Sequence, residues 1–285
     1  MGSKMIFGSL AWLPRLPSAQ GPGMQRAIQI ACSTVPYLFF LFLYGMNKLF
    51  HIQPNLDDLG CVHIHTINNI EGMVLGFHPH KIVSGMHTQM LDFFSAFPYL
   101  MHYVLPILFP VYLYCCGRYE DISKFYWLMG WVMWAHYLIW LVFPHAPPWV
   151  LDHMAKNNVS TIAHAMQHRE GCAFARVDSY TGIPFFFNMF NGNPVPYASF
   201  PSGHVAWPLC VHLIGGPGGN LFVMYIFYMA WATLYSCHHY LLDAIGAVVV
   251  VLATRRIVVY LQDRNVCSLD YRCKSSGITC PTLSV

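Results

Sequence analysis

Apolar residues run along this chain in long blocks, without the alternation of a surface strand or the single stripe of a soluble amphipathic helix. A membrane-crossing helix needs about 20 mostly apolar residues. Six blocks reach or approach that length: residues 27–50, 93–117 and 125–144, a short one from Gly203 to the Gly215–Gly219 turn, then 220–237 and 240–262. Trp and Tyr stand at many block ends, as they do at membrane interfaces. Prolines inside the blocks, such as Pro36 and Pro106, are compatible with spanning helices where neighbours satisfy the freed carbonyls. The expected fold is all-α, a polytopic membrane protein with six transmembrane helices. It divides into an N-terminal segment (1–26), a six-span domain (27–262) and a C-terminal tail (263–285).

Composition agrees with burial in lipid. Hydrophobic residues make up 56% of the 285 residues and charged residues 9%, against roughly 25% charged in a soluble domain. The net charge of +3 and the lack of any basic run argue against nucleic acid as a partner. The cysteines are scattered with no CxxC pair, so neither a disulfide framework nor a zinc finger is expected. The N-terminus lacks the compact apolar core of a cleaved signal, and the first block is expected to stay as an anchor.

Six spans put both termini on one side. Ten Lys and Arg residues, from Lys4 to Lys274, fall on that side; five, Lys48, Lys81, Lys156, Arg169 and Arg176, fall on the other. The positive-inside bias therefore predicts cytosolic termini and a lumenal or extracellular opposite face. Asn158, in the sequon Asn158-Val159-Ser160, lies on that opposite face and is a candidate glycosylation site.

Three motifs converge on the same face by span counting: FPHAPPWV (143–150), FPSGHVAWP (200–208) and CHHYLLDAIG (237–246). His239 and Asp243 are four apart, hence on one side of a helix. Asp243 can then hold one imidazole nitrogen of His239 and leave the other as a nucleophile toward phosphorus. His204 follows Ser202-Gly203 at a helix start, where free N–H groups can cradle a phosphate. Its imidazolium can protonate a departing oxygen and later take a proton from the incoming hydroxyl. Taken singly, each motif has a plainer account. A membrane histidine can simply bond a carbonyl, and APPWV can be an interfacial anchor. Their joint occurrence on one side, with a costly membrane-edge aspartate, points to catalysis. Ligands are too few for a metal, so neither metal nor cofactor is expected.

These residues resemble the type 2 phosphatidic acid phosphatase superfamily, and most closely its fungal inositol phosphorylceramide synthase branch. The likeness runs from about residue 88 to 250, through LDFFSAFPYLMHYVLP (91–106), FPHAPPWV, FARVDSYTG (174–182), NPVPYASFPSGH (193–204) and WATLYSCHHYLLD (231–243). It implies a phosphatidic acid phosphatase type 2/haloperoxidase-like helical core. It further implies His239 as nucleophile, Asp243 as its partner and His204 as acid/base. The branch transfers phosphoinositol from phosphatidylinositol to ceramide in the Golgi lumen, which implies an endomembrane (Golgi or ER) protein with a lumenal site. The superfamily's first motif, Lys followed by Arg-Pro, is absent and APPWV takes its place. Ala232-Thr233 replaces a Ser-Arg pair, and Gly203 stands where the branch usually has Leu. With fewer cations at hand, Arg176 and Arg169 become the candidates for the phosphate, beside Ser202, Gly203, Trp149 and His238 as further substrate-binding residues. His78, His80, Lys81 and His87 form a polar loop cluster. Asp92, Tyr99 and His102 are candidates for lining a lipid path or for packing and hydrogen bonding.

The leading reading is a lipid phosphotransferase whose partners are membrane lipids: a phospholipid donor and a lipid alcohol acceptor. The same residues with water as acceptor make a lipid phosphate phosphatase. An aromatic cavity of Phe185–Phe187, Phe190, Trp149 and Trp207 allows a prenyl diphosphate as donor, for a phosphatase or a membrane terpene cyclase. A lipid transporter or scaffold is the non-enzymatic alternative.

Overall fold

The apolar blocks become helices that cross one another around a polar rim. The computed structural model describes residues 22–50, 62–157 and 173–275. Eleven helices occur there: α1 (Pro22–Phe50), α2 (Thr66–Leu75), α3 (Pro79–Gly85), α4 (Gln89–Cys115), α5 (Tyr119–Val142), α6 (Pro148–Asn157), α7 (Ala173–Thr181), α8 (Phe185–Asn191), α9 (Gly203–Leu213), α10 (Asn220–Tyr235) and α11 (Leu241–Ser275). Asn158 and Arg169 lie outside the described residues.

Among the described residues four helices are long and apolar enough to cross a membrane: Gly23–Asn47, Gln89–Cys115, Tyr119–Val142 and Leu241–Leu261. The fourth and fifth expected spans are shorter. Helix α9 has 11 residues and α10 has 16, or about 16 and 24 Å at 1.5 Å per residue. The reason is local: Gly215, Gly218 and Gly219 all take positive φ and turn the chain early. Arg118 closes this turn by donating to the carbonyls of Ile214 and Gly215, at 2.7 and 2.8 Å.

Helix α4 is continuous through Pro98, Pro106 and Pro110. A proline removes the hydrogen bond to the carbonyl four residues back. For Pro98 that carbonyl is Phe94, which accepts from the Tyr228 hydroxyl. For Pro110 it is Pro106, which accepts from Tyr126 at 3.0 Å. Neighbouring helices thus supply the lost donors, as apolar surroundings require.

Helices α1 and α5 approach closely at Gly130, where a Cβ would fall 2.8 Å from both the Pro36 side chain and the Tyr37 backbone nitrogen. Trp134 donates to the Pro36 carbonyl at 3.0 Å beside this contact. The main core gathers α1, α4, α5, α9 and α11 around Phe125, Met129, Val132 and Leu113. A second cluster under the polar rim joins Tyr99, Trp149, Phe174, Phe186 and Tyr197. Between the two, three extended segments lie side by side. His63 donates to the Pro144 carbonyl at 2.9 Å, His145 to Tyr197 at 3.1 Å, and Ser199 to His145 at 3.2 Å. This strip fixes FPHAPP against the residues leading into α9.

Candidate active site

The chain makes a sharp turn between α10 and α11. Cys237 has φ +55°, and the amides of His238 and His239 both fold back onto the Thr233 carbonyl. The turn aims His239 inward, and α11 then brings Asp243 beneath it. His239 donates from Nδ1 to Asp243 Oδ2 at 3.1 Å. The same oxygen accepts the Tyr240 amide at 2.9 Å and the Ser199 hydroxyl at 2.6 Å. Asp243 is fully buried and His239 is 4% exposed. With Nδ1 bonded to the carboxylate, the unprotonated nitrogen of a neutral His239 is Nε2.

The amide of Leu241, at the start of α11, has no partner within its own helix. Glu71 of α2 supplies one, accepting that N–H at 2.8 Å while fully buried. A carboxylate there also suits the positive end of the helix dipole. Glu71 therefore anchors the helix that carries Asp243.

His204 enters from α9. Its ring stands edge-on to that of His239, with centroids 5.3 Å apart and an interplanar angle of 77°. Its Nδ1 lies 2.8 Å from Nε2 of His102, and the His102 Nδ1 donates to the Tyr99 carbonyl. The Tyr99 ring packs on His204 at 4.4 Å. Tyr99 and His204 line a cleft of about 80 Å³ together with Trp149, Phe190, Asn193, Ser199, His238 and His239. A cavity needs about 10–15 Å³ on this measure to hold one water, so the cleft has room for a small polar group. Among the described residues the lining includes no lysine or arginine.

The remaining expected residues are placed as follows. Ser202 caps α9, but its amide already donates to the Asp243 carbonyl at 3.0 Å and so is taken from the anion cradle expected at Ser202–Gly203. The buried Ser202 hydroxyl has no partner among the described residues. At Gly203 a Cβ would touch the Trp140 ring at an ordinary 3.5 Å. His238 bonds Ser236 through Nδ1 and packs among Phe174, Phe190 and Tyr99, at 4.9, 4.7 and 5.4 Å. Trp149 is buried against the cleft.

Arg176 stands apart from its expected place at the phosphate. It forms a two-pronged ion pair with the buried Asp92, at 2.9 and 2.6 Å, and is not among the cleft-lining residues. Burial alone would lower its pKa; the hydrogen bonds and charge of Asp92 outweigh that and raise it. Of the residues expected in an aromatic cavity, Phe190 and Trp149 line the cleft. Phe185 and Phe187 are exposed, and Trp207 donates to the Met133 sulfur at 2.9 Å. In the expected loop cluster, His80 is buried near Glu71, with Nδ1 3.6 Å from its Oε2, and Lys81 faces Asp152 at 3.7 Å. No group of three or more His, Cys, Asp or Glu side chains with metal-binding geometry occurs among the described residues.

Ser199, Glu71 and the contact of His102 with His204 were not foreseen from sequence. Their contacts span 44, 170 and 102 residues, beyond any local spacing rule.

The chain is 24% identical over 188 residues to the inositol phosphorylceramide synthase catalytic subunit aur1 of Schizosaccharomyces pombe, covering 64% of this chain and 44% of that one. It is 22% identical over 196 residues to the inositol phosphorylceramide synthase of Candida albicans, covering 67% and 41%. It is 24% identical over 231 residues to the phosphoinositol dihydroceramide synthase of Bacteroides thetaiotaomicron, covering 76% and 72%. The chain thus spans less than half the length of these two fungal relatives. No solved structure matches it. Membership in a phosphatase/phosphotransferase class of membrane enzymes follows from a family model described as PAP2 superfamily, which matches residues 66–257 and so takes in His204, His239 and Asp243: the chain belongs to the PAP2 superfamily.

Proposed function

We propose that the chain is a membrane phosphotransferase that moves a phospho-head group from one lipid alcohol to another through a phosphohistidine on His239. One observation carries the reading: His239 is held by Asp243 through Nδ1, with the His204 ring 5.3 Å away across a cleft. In the first step Nε2 of His239 forms a bond to phosphorus and the bond to the donor's lipid oxygen breaks. The His204 imidazolium gives that oxygen its proton. In the second step the acceptor hydroxyl gives its proton to His204, its oxygen attacks phosphorus, and the bond to His239 breaks. Asp243 keeps the His239 ring oriented in both steps and offsets the charge the ring gains.

The lining favours a phosphodiester donor. A phosphodiester carries one negative charge, which first-turn amides of α9 and a protonated His204 can balance. A prenyl diphosphate carries more charge and calls for lysine, arginine or metal at the cleft, where no lysine or arginine is found among the described residues. The names of the relatives suggest phosphoinositol as head group and a ceramide as acceptor. The membrane arrangement that goes with this reading has six spans, with α9 and α10 completing the four longer helices within residues 27–262. Both termini are then cytosolic, and the site faces the lumen of the Golgi or ER.

The test uses purified protein in lipid nanodiscs with head-group-labelled phosphatidylinositol, with and without ceramide. The expected product is labelled phosphoinositol on ceramide. Label released only to water, whether or not ceramide is present, overturns the transferase reading in favour of a phosphatase. Turnover of farnesyl diphosphate without turnover of phosphatidylinositol overturns the phosphodiester assignment.

A further inference from the structure

We propose that His102 is the positioning residue of His204: it fixes which nitrogen of His204 exchanges a proton, as Asp243 does for His239. The inference rests on the acid/base role proposed above for His204. His102 lies in α4 and is 2% exposed. Its Nδ1 faces the Tyr99 carbonyl. A carbonyl only accepts, so Nδ1 carries the hydrogen, and the neutral ring presents a lone pair at Nε2. His204 Nδ1 lies 2.8 Å from that lone pair and must therefore donate to it. The nitrogen left to His204 for chemistry is Nε2. Rings of Tyr99 and Trp207 pack on this pair, at 4.4 Å from His204 and 5.2 Å from His102, and hold it in place.

The two backing groups differ in charge. A carboxylate behind His239 stabilises the positive ring and strengthens the nucleophile. A neutral imidazole behind His204 orients the ring without stabilising its imidazolium to the same degree, so the ring still releases its proton readily. A group that must act as acid in one step and base in the next is served by that weaker support. Nothing in the local sequence around His204 encodes it, since the partner arrives from a helix 102 residues earlier.

Two amide substitutions separate the bonds His102 makes. His102→Asn keeps a donor near the Tyr99 carbonyl but is too short to reach His204. His102→Gln places an acceptor where Nε2 stood. Donor cleavage, read as the first-turnover release of the leaving group, is measured from two phosphodiester donors with the same head group. One loses a diacylglycerol alkoxide and the other a nitrophenolate that needs no protonation. His204→Ala is the reference; it should lose ~100-fold or more with the lipid donor and clearly less with the nitrophenyl donor. His102→Asn should show the same donor dependence, losing ~10–100-fold with the lipid donor, the usual cost of a lost orienting partner, and only a few-fold with the other. His102→Gln should restore most of the lipid-donor rate. Equal losses on both donors for His102→Asn, no loss at all, or a His102→Gln no better than Asn each overturn the proposal. If His204→Ala itself shows no donor dependence, it is the acid role of His204 that fails. Melting curves in detergent confirm that the variants compared are folded.

Discussion

Among the described residues two aspartates are fully buried, Asp92 and Asp243, and the fold treats them in opposite ways. Asp92 receives a complete set of partners: two arms of Arg176 at 2.9 and 2.6 Å and the hydroxyls of Tyr180 and Tyr235 at 3.1 and 2.7 Å. Its charge is matched by a guanidinium, and the result is a strut tying α4 to α7 and α10. Asp243 receives neither lysine nor arginine among the described residues. Its Oδ2 gathers a serine hydroxyl, a backbone amide and His239, while Oδ1 has no hydrogen-bond partner among the described residues. Taking a carboxylate out of water costs several kcal/mol unless it is paired. A matched aspartate repays that cost as architecture. An unmatched one keeps its field for the imidazole beside it, as the nucleophile proposed at His239 requires.

The comparison predicts that the same substitution does different things at the two sites. Asp243→Asn should lower turnover by ~10⁴-fold, as the loss of an orienting carboxylate does in hydrolase triads, while the melting temperature moves little. Asp92→Asn should do the reverse. It leaves the Arg176 charge half-buried and unpaired, a cost of about 3–5 kcal/mol, while the protein that still folds retains near-normal turnover. Removing both charges in Asp92→Asn/Arg176→Met should recover part of the lost stability, because no lone charge remains. Parallel melting and turnover measurements decide. A Asp243→Asn protein that unfolds as readily as Asp92→Asn, yet turns over normally when folded, would make both sites struts.

Only one of the two sites could be read from sequence, and the reason is distance along the chain. His239 and Asp243 are four apart on one helix, so the spacing alone implies their contact. His204 follows a recognisable PSGH turn. Arg176 and Asp92 are 84 residues apart, and a loop arginine near a site expected to bind phosphate invites assignment to the phosphate. The long apolar blocks were equally legible, because composition suffices for a helix such as α5. The lengths of α9 and α10 were not, because glycines decide where those helices stop and hydropathy does not register a turn. The Ser202 amide shows the same limit, since its partner is a carbonyl on another helix.

Acid offers the smallest test, and it acts by making the second site resemble the first. His145 lies in the extended strip beside Asp243 and is fully buried, accepting the Ile67 amide at Nε2 at 3.2 Å. Burial lowers its pKa from 6.5 to about 4, while the nearby charge of Asp243 partly opposes the shift. The ring is neutral in the folded protein, whereas the unfolded chain takes a proton below about 6.5. Its contribution to stability is therefore fully present above pH 6.5 and is lost as pH falls toward 4. The loss is on the order of 3 kcal/mol at 1.36 kcal/mol per unit. Melting temperature should fall across that window, and less steeply in His145→Gln, which keeps an acceptor for Ile67 but does not titrate. Once protonated, His145 gives Asp243 the cation that Arg176 gives Asp92. In Asp243→Asn that attraction is gone, so the His145 pKa drops further and the acid-induced loss of stability continues to lower pH. If the acid branches of the wild type and Asp243→Asn coincide, the Asp243 charge is not felt at His145, and the contrast between a matched and an unmatched carboxylate loses its electrostatic basis.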